Sequence, residues 1–119
     1  MAVEFEITDR KVDEDTHVIA VTGEIDLFTA PEFKQRMSQL IDAGRSRLVV
    51  DLSETSFIDS SSLGVLIGAH RRLKLRGGTL LVVCDSEAIA KTFKITGLDG
   101  VFRLAPSVDA ALSDDATAA

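Results

Sequence analysis

The sequence predicts an α/β fold, in which a small mixed β-sheet of about 4–5 strands carries about four helices packed mainly on one side. Two short apolar runs, at residues 48–50 and 79–84, have the length and composition of buried strands. Between them, residues at positions 63, 66, 67, 70 and 73 repeat at helical spacing. Because a helix separates the two strands, we expect them to pair in parallel through a right-handed crossover.

The chain length fits a single domain. We expect the 119 residues to form one domain over 1–119, with an ordered core from about residue 3 to residue 112. The small, acidic C-terminal tail at residues 113–119 is expected to be flexible. A chain of this size buries roughly two-thirds of its unfolded surface. The core therefore needs neither metal nor disulfide, and we expect a monomer, with a weak dimer as the alternative.

Composition and charge exclude several classes of protein. The apolar content of 45% and the charged content of 27% are ordinary for a globular domain. Cys84 is the only cysteine, so no intrachain disulfide is possible and a reducing cytoplasm is the expected location. Neither a membrane span nor a signal peptide is recognisable, so no membrane contact is expected. The net charge of −6 disfavours direct binding to nucleic acid, because phosphate backbones are also negative.

The N-terminal segment is expected to form a β-hairpin. Alternating apolar residues from Val3 to Ile7 predict a first strand with one buried face. Residues 13–15 form a polar turn, and the β-branched run at 18–22 predicts a second strand. Gly23 is expected to end that strand.

The first helix has recognisable start and stop signals. Thr29 and Glu32 match a capping box, in which the threonine caps the helix and the glutamate reaches back to the Thr29 N–H. Gly44 is a plausible stop. Between them, four apolar residues share one helical face: Phe33, Met37, Leu40 and Ile41.

A strand, a loop, a serine cluster and a second helix follow. The buried strand at residues 47–52 precedes a polar loop at 53–56. Three serines, Ser60, Ser61 and Ser62, then open a helix that is expected to start after Ser61 and to run to about Arg76. One serine is enough to cap a helix, and capping alone is the simplest interpretation of the cluster. Three hydroxyls exceed that need, and a helix N-terminus also stabilises a phosphate, so a phosphorylation site is the alternative.

The C-terminal third is expected to continue the alternation of strands and helices. After the strand at 79–84, Asp85 or Ser86 caps a shorter helix that ends at Gly97. A short strand at residues 101–104 and a final helix at 106–112 complete the prediction.

The sequence contains no recognisable catalytic or cofactor motif. It has no phosphate-binding loop, no dinucleotide-binding turn and no nucleophile elbow. His17 and His70 have no Cys or His neighbour at metal-ligand spacing, and Cys84 ends an apolar strand, so all three are interpreted as structural residues. We therefore predict no catalytic residue, no cofactor and no metal, which argues against a small enzyme or a nucleotide-binding protein.

The sequence allows two interpretations of Asp51 and two of the pair Leu27 and Phe28. Asp51 ends the central strand, where it could bind a cation of a partner or equally cap the loop that follows. Leu27 and Phe28 are apolar residues in a predicted loop, where they either plug the base of the sheet or are exposed for a partner.

Two motifs resemble those of a known family. Residues 59–64, Asp-Ser-Ser-Ser-Leu-Gly, preceded by the strand at 49–52 and by Phe57-Ile58, resemble the signature of STAS-domain anti-sigma factor antagonists. Residues 23–26, Gly-Glu-Ile-Asp, are similar to a second signature of that family. The resemblance extends from about residue 3 to residue 112. One difference is Ser62, which stands where the family usually has glycine.

The resemblance implies a STAS fold and a non-enzymatic phosphorylation switch. In this family the unphosphorylated antagonist binds an anti-sigma factor, which is also an ATP-dependent serine kinase, and thereby releases the sigma factor. Phosphorylation of one serine abolishes binding, and a metal-dependent serine phosphatase restores it. The position that matches the phosphorylated serine is Ser61, with Ser60 and Ser62 as alternatives. The resemblance assigns partner binding to these residues: Glu24, Asp26, Thr29, Asp59, Ser60, Ser61 and Ser62.

A second function is compatible with the same fold, namely a stand-alone STAS interaction subunit of a transporter or of a stress-signalling complex. Such proteins often lose the phosphorylatable serine, so the serine cluster favours the switch. We also expect Asp26→Ala to weaken partner recognition with little loss of stability, because a surface carboxylate contributes little to folding.

Overall fold

Six strands and four α-helices form the part of the chain that the computed structural model describes, residues 4–114. In chain order they are β1 (Glu6–Lys11), β2 (Thr16–Ile25), α1 (Ala30–Asp42), β3 (Arg47–Asp51), β4 (Thr55–Ile58), α2 (Ser60–Leu75), β5 (Thr79–Val83), α3 (Glu87–Ile95), β6 (Arg103–Ala105) and α4 (Val108–Asp114), with a 3-10 turn at Leu98–Gly100 between α3 and β6.

The sheet is mixed, as the sequence predicts. Its main path runs β1-β2-β3-β5-β6, and β4 pairs with β2 beside this path. Among the strands of residues 4–114, β1 and β2 pair antiparallel; the pairs β2–β3, β2–β4, β3–β5 and β5–β6 are parallel. The parallel pairing of the two apolar runs is therefore confirmed, and the sheet has one strand more than the sequence suggested.

The two faces of the sheet carry unequal cores. Leu48 and Val50 of β3 face the larger core, to which α1, α2 and α3 contribute. Val49 points to the opposite face and packs in a smaller core with Val108 and Ala111 of α4. Since β3 is covered on both faces, its apolar run is continuous rather than alternating. The expectation of helices mainly on one side is confirmed.

Strand β2 does not end at Gly23, which corrects the sequence-based boundary. Gly23 has a φ of 91° and lies inside the strand. The pairing register shifts between Gly23 and Glu24, and beyond Ala20 the strand exchanges its neighbour β3 for β4. A positive φ is readily adopted only by glycine, so here the glycine bends a strand instead of terminating it.

The strand β4 replaces part of the expected loop at residues 53–56. Its first residue is tied to β2, because the Thr55 hydroxyl donates to the Val21 carbonyl at 2.8 Å. The Gly23 N–H also donates to the Glu54 carbonyl at 3.1 Å. Four residues with two exposed positions give too short a pattern for a strand to be recognised in the sequence.

Smaller corrections concern the ends of elements. Strand β1 continues to Lys11 instead of ending near Ile7, while residue 3 lies outside the described residues. Helix α2 begins at Ser60. The last helix reaches residue 114, so residues 113 and 114 of the expected flexible tail are helical, and residues 115–119 lie outside the described residues.

Both histidines and the cysteine have structural surroundings. The Nε2 atom of His17 lies 3.1 Å from Asp9 Oδ1, and Arg36 donates to Asp9 Oδ2 at 2.6 Å. Burial alone would raise the pKa of Asp9, but the hydrogen bonds from Arg36 and His17 lower it overall. His70 packs edge-on against Phe102, with ring centroids 5.4 Å apart. Cys84 is buried, and this burial raises the pKa of its thiol.

Candidate partner-binding site

Two loops meet at one edge of the sheet. Strands β2 and β4 are parallel, and Ile25 is paired with Ile58 near their ends. The loop at residues 26–29 and the segment at 59–61 therefore leave the sheet side by side, where α1 and α2 begin. The Ser62 hydroxyl donates to the Ile25 carbonyl and thus joins the two loops. The sheet topology consequently brings the two motifs of the sequence together.

Asp59, not a serine, caps helix α2. Its Oδ1 accepts a hydrogen bond from the Ser62 N–H at 3.1 Å, and the Ser62 hydroxyl accepts one from the Asp59 N–H at 3.3 Å. These reciprocal bonds form a capping box. The side chain of Ser62 is 0% exposed. Ser62 is therefore a structural residue that no partner can reach in this fold.

The other two serines have free hydroxyls. Ser60 is exposed and Ser61 is half-buried. Within residues 4–114, neither hydroxyl has a hydrogen-bond partner from the protein. Both residues lie in the first turn of α2, where the free N–H groups and the helix dipole favour a negative group. A phosphate on either serine would therefore be compatible with the helix.

The expected capping box of Thr29 and Glu32 is wrong. The Thr29 side chain makes no capping bond to α1. Instead, its hydroxyl accepts from the Asp26 N–H at 2.8 Å and donates to the Glu24 carbonyl at 2.9 Å. Asp26 supplies the side-chain acceptor for the backbone of this loop. Its Oδ1 accepts hydrogen bonds from the N–H groups of Phe28 at 2.9 Å and Thr29 at 3.1 Å. The loop is thus held together by its own polar side chains.

This geometry changes the expected effect of Asp26→Ala. The substitution removes a half-buried carboxylate that accepts hydrogen bonds from two backbone N–H groups. It should therefore destabilise the protein by about 1 kcal/mol. Asp26→Asn keeps an acceptor oxygen without the charge and should recover most of that stability. Urea denaturation measures both effects, and calorimetry measures binding to the partner. If Asp26→Asn binds as weakly as Asp26→Ala while being more stable, the charge is required for recognition. If Asp26→Asn binds like the wild type, Asp26 only holds the loop.

The loop residues Leu27 and Phe28 are exposed and do not plug the sheet. Their relative exposures are 68% and 88%. Phe57, which is paired with the exposed Glu24 in the β2–β4 register, is also 47% exposed. Apolar side chains thus surround the two motifs at the same edge of the sheet, a composition typical of protein interfaces.

Asp51 caps the loop that follows its strand. Its Oδ1 accepts from the Ser53 N–H at 3.0 Å and from the Ser53 hydroxyl at 2.6 Å. Of the two interpretations of Asp51, the structure therefore supports the local cap.

A groove between α1 and α2 extends from Ser61, and no pattern in the sequence predicted it directly. Its volume is about 550 Å³, and its lining includes Lys34 of α1 and Gly64 and Gly68 of α2. Two glycines inside a helix are the only sequence signal that could have suggested it. Over residues 4–114, no helix is long and apolar enough to cross a bilayer, and no three metal-binding side chains cluster together.

Comparisons with known proteins agree with the fold and with the family that the sequence resembles. A family model described as STAS domain matches residues 8–111. The anti-sigma-B factor antagonist of Listeria monocytogenes is 35% identical over 105 residues, which cover 87% of this chain and 90% of that protein.

Solved structures give the same result. An anti-sigma factor antagonist from Mycobacterium paratuberculosis superposes with a TM-score of 0.85 at 30% identity, with 92% of each chain covered. The anti-sigma factor antagonist SpoIIAA in its unphosphorylated form has a TM-score of 0.79 at 25% identity, with 98% of each chain covered. The phosphorylated form of SpoIIAA from Bacillus has a TM-score of 0.71 at 25% identity, covering 92% of this chain and 97% of that one. With a family match over most of its length and relatives above 30% identity, the chain belongs to the STAS domain family of anti-sigma factor antagonists.

Proposed function

We propose that this protein is a phosphorylation-controlled antagonist of an anti-sigma factor, with Ser61 as the phosphorylated residue. The observation that carries the proposal is the contrast within the serine cluster. Ser62 is buried in the capping box, whereas the Ser61 hydroxyl is unbonded in the first turn of α2, where the two motifs meet. Ser60 is also accessible, but the match with the family motif favours Ser61.

The switch acts at the interface and not on the fold. In the unphosphorylated state, the edge formed by the loops at 26–29 and 59–61 binds the anti-sigma factor, so that the sigma factor is released. A phosphate adds about −1.5 to −2 charges at pH 7. In the free protein this charge faces the positive end of α2 and is tolerated. In the complex it must be desolvated next to partner groups, so the complex dissociates.

The proposed partners follow from this mechanism. The anti-sigma factor is also the ATP-dependent serine kinase, and a metal-dependent phosphatase removes the phosphate. The chain itself is a monomeric, cytoplasmic non-enzyme without a cofactor. Support comes from a relative of the same fold that was solved in both an unphosphorylated and a phosphorylated form.

The test identifies the partner and the modified residue together. The tagged chain is purified from its native cells, the co-purifying protein is identified, and that purified protein is incubated with the chain and ATP. We expect the co-purifying protein to be an anti-sigma factor. We expect it to add one phosphate to the chain, and peptide mass spectrometry should locate this phosphate on Ser61. Ser61→Ala should bind the same protein without being phosphorylated. A phosphate that persists in Ser61→Ala and disappears in Ser60→Ala would move the site to Ser60.

A further inference from the structure

We propose that the groove between α1 and α2 is a docking surface for an apolar segment of the anti-sigma factor that carries acidic side chains. This inference rests on the proposed function, since it adds a second contact to the same complex. The groove begins at Ser61 and continues along α2 to Arg72, away from the two loops.

The groove is apolar along its base. Met37 and Ile41 of α1 and Val65 and Ala69 of α2 line it, and its volume is about 550 Å³. Ala69, Met37 and Ile41 are buried residues of the larger core. The groove is therefore a rigid, preformed feature, in which an apolar side chain of a partner would be removed from water.

Neither backbone conformation nor packing within the domain requires glycine at the two glycine positions of α2. Gly64 and Gly68 are inside a helix, where glycine is less stable than alanine. Neither has a positive φ, and a Cβ atom added at either position would meet nothing within 4 Å. Gly78 differs, because a Cβ there would lie 2.5 Å from the Ser46 carbonyl. The fold thus requires Gly78 but not the two groove glycines, whose effect is to leave space open to the outside.

Cations line the groove of an otherwise acidic protein. Lys34 and Arg71 line the groove, and within residues 4–114 neither is in an ion pair. Arg72 is already bound to Asp42, with 2.5 Å between Nη2 and Oδ1. Since the whole chain has a net charge of −6, this local positive potential favours an acidic partner segment.

The position of Ser61 links this surface to the switch. Ser61 lines the groove together with Lys34. A phosphate on Ser61 would place negative charge beside the carboxylates of the docked segment and would compete with them for the Lys34 ammonium. Phosphorylation would thus weaken the groove contact as well as the contact at the loops.

Filling the groove tests the proposal. Gly68→Leu should weaken binding to the purified anti-sigma factor by about 10-fold or more. Its melting temperature should not fall, because leucine is the better helix former and a Cβ atom at this position meets nothing within 4 Å. Gly100→Leu is the matched control: Gly100 is equally open but lies in the turn after α3, so binding should not change. Lys34→Glu leaves the groove open and should also reduce affinity by about 10-fold. This reduction in affinity should be smaller at high salt, because salt screens the charges.

The outcomes separate this inference from the proposed function. If Gly68→Leu and Lys34→Glu bind like the wild type while Ser61→Asp does not, the groove inference is overturned and the switch remains. If both groove variants lose binding but Ser61→Asp binds normally, the docking surface is supported and the switch is contradicted. Two other occupants would also overturn the inference. One is a second copy, revealed by a dimer in sedimentation that Gly68→Leu dissociates. The other is a fatty acid, revealed by native mass spectrometry as a bound mass that Gly68→Leu removes.

Discussion

Ser61→Asp is expected to bind the anti-sigma factor about 100-fold more weakly than the wild type, while the domain remains folded. A loss of this size corresponds to about 2.7 kcal/mol, within the range for an unpaired charge that an interface must desolvate. In the free protein the carboxylate lies in the first turn of α2, where the helix dipole contributes about 0.3–1 kcal/mol in its favour. Calorimetry measures the affinity, and circular dichroism measures the melting temperature, which should be unchanged or slightly higher.

A neutral substitution of the same size provides the control. Ser61→Asn has the shape of the aspartate without its charge, so it should retain most of the affinity if charge controls binding. If Ser61→Asn and Ser61→Asp bind equally weakly, steric exclusion and not charge is the cause. An unfolded Ser61→Asp protein would contradict the interface mechanism, because that mechanism requires a folded but non-binding state.

The sequence predicted the parts of the fold that rest on continuous apolar runs or on a regular helical repeat. Strands β3 and β5 were predicted because their buried residues are consecutive in the sequence. Helix α2 was predicted because its buried residues repeat at helical spacing. Strand β4 was not found, since its four residues become a strand only through pairing with β2. The continuation of β2 through Gly23 was missed for the same reason, because the bulge exists only in the context of β4.

The proximity of the two motifs could be predicted from the sequence, but their hydrogen bonds could not. The two motifs lie together, as their family resemblance implies. The sequence did not show which polar side chain caps which N–H, because Asp26 competes with Thr29 for the first loop and Asp59 competes with the serines for α2. The tertiary structure decides which side chain caps. In particular, the Ser62 hydroxyl donates a hydrogen bond to the Ile25 carbonyl and is buried there.

The three neighbouring serines therefore have three different environments. Ser60 is exposed, Ser61 lines the groove, and Ser62 lies buried against the Ile25 carbonyl. The same substitution at each position should consequently give three different results, which makes the cluster a sensitive test of the structure.

Ser62→Asp is expected to destabilise the domain by about 4 kcal/mol or more, because it buries an unpaired charge. The side chain is 0% exposed, and the acceptors around the Ser62 hydroxyl are the Ile25 carbonyl and, at 3.1 Å, Asp59 Oδ1. A carboxylate there would be buried against other acceptors, with the Asp59 N–H as its nearby donor. Ser62→Ala should cost less, about 1–3 kcal/mol, because it removes the hydroxyl without adding a charge.

Urea denaturation of the two variants, with Ser60→Asp as the exposed control, measures these differences. Ser60→Asp should change the free energy of unfolding by no more than about 0.5 kcal/mol, as is usual for a surface position. The loss in Ser62→Asp should diminish as the pH falls, because protonation of the introduced carboxyl removes the buried charge and supplies a donor for the Ile25 carbonyl. A Ser62→Asp protein as stable as Ser60→Asp would show that Ser62 is accessible. In that case Ser62 would again compete with Ser61 as the phosphorylated residue, because the burial that separates them would not exist in solution.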